Sequence, residues 1–111
     1  MKVVFKQDGG IGIIELHGRL DAYNAPELKA VYDQAAEKVS NFVLDMAECD
    51  FIDSTGLGTI VACLKSASQG GGDIRIARLQ DKPRMVFDIT RAHKIFDIFD
   101  DLDAAIQSFG D

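Results

Sequence analysis

The sequence predicts an α/β fold, a mixed sheet of four to five strands flanked by about four helices, in a single domain over residues 1–111. Three observations support that expectation. Short β-rich runs alternate with amphipathic helical patterns through most of the chain, as they do when helices carry the crossovers between strands. The first two strand candidates, Val3 to Lys6 and Ile11 to Leu16, are separated by QDGG alone, a hairpin link that makes at least one pair antiparallel. With 111 residues, 47% of them hydrophobic, the chain has apolar side chains enough for one core and is too short for two.

The elements follow in order. Asn24 with Glu27 three residues on gives a capping-box-like helix start, and Pro26 suits its first turn. Leu28, Val31, Tyr32 and Ala35 then fall on one stripe of that helix. NFVLDM, Asn41 to Met46, reads as a strand buried on at least one face. A helix starting near Ser54 turns Leu57, Ile60, Val61 and Leu64 toward the core, and SQGGGD stops it. IRIARL alternates as a strand. Lys82 to Ile89, with Pro83 near its start, reads as a short helix and KIFDIF as another strand. Asp100 with Asp103 caps a last helix carrying Leu102, Ala105, Ile106 and Phe109.

Composition excludes several functions. Acidic residues outnumber basic ones 18 to 12, for a formal charge of −6. Proteins that grip nucleic acid non-specifically carry the opposite balance, so no direct nucleic-acid partner is expected. The run FDIFDDLD reads as a solvated helix start. Cys49 and Cys63 lack the close pairing of a zinc site, and His17 and His93 stand far away in sequence, so no metal is expected and the thiols read as reduced. MKVVFKQDGG turns polar too early for a signal peptide, and IVACL is far shorter than a membrane span. A soluble cytoplasmic protein with no membrane partner and no cofactor is the expectation.

The stretch FIDSTGLGTIVACLKSA, Phe51 to Ala67, carries the functional signal. It sets Asp53, Ser54 and Thr55 at the mouth of an apolar helix. Three roles compete for Ser54: a helix cap, a nucleophile, or a hydroxyl that is modified. A cap stabilises by roughly 1 kcal/mol, although DST offers three candidates in a row. A nucleophile needs a base and an orienting group, and the G-x-S-x-G elbow is missing. GGGD also lacks the GK[ST] ending of a phosphate-binding loop. A phosphate on Ser54 would add about −1.5 to −2 charges at a helix terminus that favours them, with Asp53, Asp21 and Asp50 opposing.

The helix face away from the core carries Thr55, Gly58, Thr59, Ala62 and Ser66, with Cys63 on its border. Small uncharged residues admit a close neighbour, either a helix of the same domain or a docking protein. If a partner docks there, a dianion at its edge costs on the order of 2–5 kcal/mol. Affinity would then fall between about 30-fold and several thousand-fold.

FIDSTGLG, followed by an apolar helix and glycines, resembles the signature of the STAS domain, in particular of bacterial anti-sigma factor antagonists. GRLDAYNAPELK resembles that family's G-x-L-D segment and first helix, NFVLDMAECDFIDSTGLG its central strand and phosphorylation loop, and VFDITRAHKIFDIFDD its late helix and closing strand. The resemblance implies a mixed sheet flanked by helices. It implies an unmodified form that binds an anti-sigma factor, itself a serine kinase, and so frees a sigma factor. That kinase would use ATP to phosphorylate Ser54, and a PP2C-type phosphatase would reverse the step. The kinase supplies the catalysis, so no base is needed beside Ser54. Carried over by position, Asp21, Asp53, Thr55, Gly56, Leu57 and Gly58 frame the kinase-facing surface, which the small face extends to Thr59 and Ala62. Arg91 and Ala92 stand where the family usually shows Gly-Leu. Two other readings stay open at this point: a STAS adaptor of a stress-signalling or lipid-transport complex, with Ser54 a cap, and a weak nucleotide-binding protein.

Overall fold

The computed structural model describes residues 1–110. Its elements run β1 (Lys2–Asp8), β2 (Ile11–Leu20), α1 (Ala25–Ala35), β3 (Asn41–Ile52), α2 (Ser54–Gln69), β4 (Asp73–Ala77), α3 (Asp81–Ile89), β5 (Ile98–Phe99) and α4 (Leu102–Gln107), with a 3₁₀ turn at Ala92–Lys94. The strands form one sheet in the order β1-β2-β3-β4-β5. β1 and β2 are the antiparallel pair, and every other pairing is parallel. The hairpin turns on Gly9, whose φ of +60° suits a residue without Cβ.

Alternation along β3 builds two cores. Phe42, Leu44 and Met46 face α1, α2 and α3, where they meet Leu28 and Tyr32, Leu57 and Ile60, and Phe87. The Tyr32 and Phe42 rings lie 4.9 Å apart. Val43, on the other face, packs with Ala77 and Ala105 under Leu102, Ile106 and Phe109 of the α4 segment. Asp45 follows on that face, buried, and takes two hydrogen bonds from the Arg78 guanidinium at 3.1 and 2.6 Å.

Four local expectations are corrected. β3 does not stop at Met46 but continues to Ile52, pairing with β2 across two register irregularities. Its extension alternates exposed Glu48 and Asp50 with buried Cys49 and Ile52, a pattern weaker than the apolar run before it. Asn24 does not cap α1 through its side chain; instead Asn24 Oδ1 accepts the Asp21 N–H at 2.9 Å, and Nδ2 donates to the Arg19 carbonyl. KIFDIF is mostly turn, because α3 ends in a reversal at Arg91 and only Ile98 and Phe99 reach register with β4. Asp101, accepting from Ala104 N–H at 3.1 Å, caps α4, while Asp100 points toward Arg84.

Candidate functional site

The register that pairs Leu20 with Ile52 brings β2 and β3 to an end side by side. Their next residues, Asp21 and Asp53, therefore meet at the carboxyl edge of the sheet, where open α/β sheets commonly place their functional groups. Asp53 has extended backbone angles and is the N-cap of α2. One carboxylate oxygen accepts the Gly56 N–H at 2.7 Å and the other the Ala22 N–H at 3.2 Å. A single side chain thus closes the helix and fastens the loop after β2 to it.

With Asp53 as the cap, Ser54 becomes the first helical residue and is exposed. That removes the capping role from Ser54. The nucleophile role gains nothing either, since the histidines are engaged elsewhere. His17 Nε2 lies 3.1 Å from Glu15, and His93 Nδ1 lies 3.3 Å from the Phe87 carbonyl. Thr55 is exposed, and its carbonyl accepts the Thr59 hydroxyl at 3.2 Å. Among the described residues no group of His, Cys, Asp or Glu is placed to hold a metal ion. No described helix is long and apolar enough to cross a membrane.

The candidate surface residues divide into two groups. Thr55, Gly58 and Ala62 are exposed, while Asp21, Asp53 and Thr59 are half-buried. Gly56 and Leu57 are buried. A Cβ on Gly56 would stand 2.6 Å from the Leu20 carbonyl oxygen, so this glycine lets the first turn of α2 lie on the end of β2. Gly58, by contrast, has open space around it.

A groove of about 600 Å³ opens between the starts of α1 and α2, with Ala22, Pro26 and Lys29 on one wall and Thr55, Gly58 and Ala62 on the other. The small face of α2 is therefore divided between a buried part and an exposed part. Cys63 and Ala67 are buried on the side toward α1 and the sheet, and the exposed positions remain open. Cys63 is not a border residue: it is buried, and burial pushes its thiol up to about 11. Lys29 is drawn to Asp33 at 2.6 Å, which raises its pKa. At the Asp21 end, Arg19 lies over the Phe51 ring at 3.9 Å and stands 4.0 Å from Asp21.

Two features escaped the sequence reading. The Ala22 N–H clamp is a backbone contact with no signature of its own. Arg91 adopts a left-handed conformation, φ +63°, where the STAS pattern carries glycine; that substitution was the visible signal.

The STAS domain family model matches residues 2–105, and the chain belongs to that family. Among its relatives, the anti-sigma-B factor antagonist of Bacillus subtilis is 29% identical over 94 residues, covering 85% of this chain and 86% of that protein. The anti-sigma-B factor antagonist of Listeria monocytogenes is 33% identical over 82 residues, covering 73% and 72%. A crystal structure of a Thermotoga maritima protein superposes with a TM-score of 0.89 at 27% identity, over 96% of this chain and 92% of that one.

Proposed function

We propose that this protein is an anti-sigma factor antagonist of the cytoplasm, a binding regulator rather than an enzyme. The groove beside α2 receives an anti-sigma factor that is a serine kinase. That kinase transfers the γ-phosphoryl group of ATP to Ser54 Oγ: the new P–O bond forms, ADP leaves, and the hydroxyl proton passes to a base of the kinase. A PP2C-type phosphatase hydrolyses the ester and restores binding.

The observation that carries this reading is the division of labour between Asp53 and Ser54. Asp53 does the structural work, so the neighbouring hydroxyl is exposed, one residue before Thr55 on a groove wall of α2 that carries no charge. The family and the names of its relatives supply the partner class. A phosphate on Ser54 meets Asp53 and Asp21 as like charges, and the helix N–H groups beneath partly offset that repulsion. The fold therefore changes little, and the docking rim gains a dianion.

The test is to incubate the protein with its ATP-loaded kinase. One phosphate per chain should appear on wild type and none on Ser54→Ala. Equal labelling of the two would end the proposal, and binding without any labelling would leave the adaptor reading. Ser54→Asp, carrying about half the charge of a phosphate, should weaken binding in part.

A further inference from the structure

Tyr23 is the chain's most exposed large apolar side chain, 94% accessible, whereas the other tyrosine, Tyr32, is buried in the core at 2%. An aromatic ring gains nothing from such exposure within the monomer. Its backbone is nonetheless held firmly. The Tyr23 N–H donates to Asp21 Oδ1 at 3.0 Å, and the same oxygen accepts the Asn24 N–H at 3.2 Å. Asn24 ties back to the Asp21 N–H and the Arg19 carbonyl, and Ala22 is fastened to Asp53. The ring is thus presented on a pre-organised loop, which lowers the ordering cost that binding would otherwise incur.

The placement continues the docking face. Ala22 lines the groove between α1 and α2, and the exposed Tyr23 is the next residue of the same loop. The Asp21 carboxylate accepts the Tyr23 N–H and that of Asp53 the Ala22 N–H, two negative charges against the cation of Arg19, which lies over Phe51 and 4.0 Å from Asp21. A surface that joins a rigid tyrosine to an acidic edge is complemented by an apolar recess with cations around it.

We infer that Tyr23 is the aromatic anchor of this face, and that the partner receives it in an apolar pocket rimmed by lysine or arginine. The inference rests on the docking reading above and adds the residue that governs partner choice.

The test uses the full chain and the purified serine-kinase anti-sigma factor of the same genome, with affinities measured by calorimetric titration at two salt concentrations. Tyr23→Ala should bind about 30-fold more weakly or worse, the loss expected of a tyrosine hot spot, with an unchanged melting temperature. Tyr23→Phe should stay within a few-fold of wild type. Wild-type affinity should fall as salt rises, and less steeply for Asp21→Asn, which keeps an oxygen for the loop N–H groups while losing the charge. If Tyr23→Ala binds like wild type while Ser54→Asp is weakened, the anchor is wrong and the docking reading survives. If affinity ignores salt, the cationic rim is wrong. If the kinase binds no form of the protein, both inferences fall.

Discussion

Asp53 shares its carboxylate between the Gly56 and Ala22 N–H groups, at 2.7 and 3.2 Å, so its removal should be felt in two elements. Losing an N-cap costs about 1 kcal/mol, and the second hydrogen bond adds a contribution of about the same size. For a chain of this length each kcal/mol moves the melting temperature by roughly 4 °C. Asp53→Ala should therefore melt several degrees lower, and Asp53→Asn, which retains the acceptor, should lose much less. Ser54→Ala, at an exposed first helical position, should leave the melting temperature within about a degree, since exposed substitutions without partners are close to neutral. Thermal denaturation of the three variants decides the matter; a large loss in Ser54→Ala would return the capping role to Ser54. Arg91 shows a residue bearing a different cost. Its φ of +63° is a conformation that disfavours any side chain by about 1–2 kcal/mol, yet it brings Ala92 into the core, 5% exposed.

At the level of the element, α2 has two glycines with opposite requirements. Gly56 touches Leu20, so Gly56→Ala forces a Cβ to within 2.6 Å of a backbone oxygen. Overpacking of that kind costs about 1–3 kcal/mol. Gly58 has nothing within 4 Å, and Gly58→Glu also improves helix propensity by roughly 0.5 kcal/mol. Gly58→Glu, like Ala62→Arg, should keep or raise the melting temperature and weaken partner binding, whereas Gly56→Ala should lower the melting temperature. If Gly58→Glu bound its partner as wild type does, the groove wall would lie outside the contact zone. The same helix shows why the sequence was readable where it was. The spacing of Leu57 and Ile60 is set by burial, so the helix and its core face were legible. The exposed small residues stood out because charge is normal on such a face. Asn24 was read as a cap because it has a cap's chemistry and position; its side chain bonds backward to Asp21 and Arg19, a choice made by the fold of the loop. The triplet DST could not be resolved locally, because the Ala22 contact that engages Asp53 spans 31 residues.

Across the whole molecule the sheet is covered unequally. α1, α2 and α3 pack over one face, and α4 covers part of the other, where Val43, Ala77 and Ala105 form a small core. On that thinner side the chain buries a carboxylate, Asp45, in the central strand β3, and its partner Arg78 comes from just beyond β4 in a left-handed conformation, φ +61°. Removing one member of a buried pair usually costs 3–5 kcal/mol, because the other charge is left without compensation. Here the Arg78 side chain is 44% exposed and water can reach one side of the pair, so about 2 kcal/mol is the expected loss for Arg78→Ala. Replacing both members, Asp45→Val with Arg78→Ala, should recover part of that loss, since no charge then remains buried and valine suits a strand interior. A double-mutant cycle by urea denaturation measures the coupling directly. Strict additivity of the two substitutions would show that the pair does not act as a unit, and that β3 and β4 are held at this edge by their backbone ladder and the small core alone.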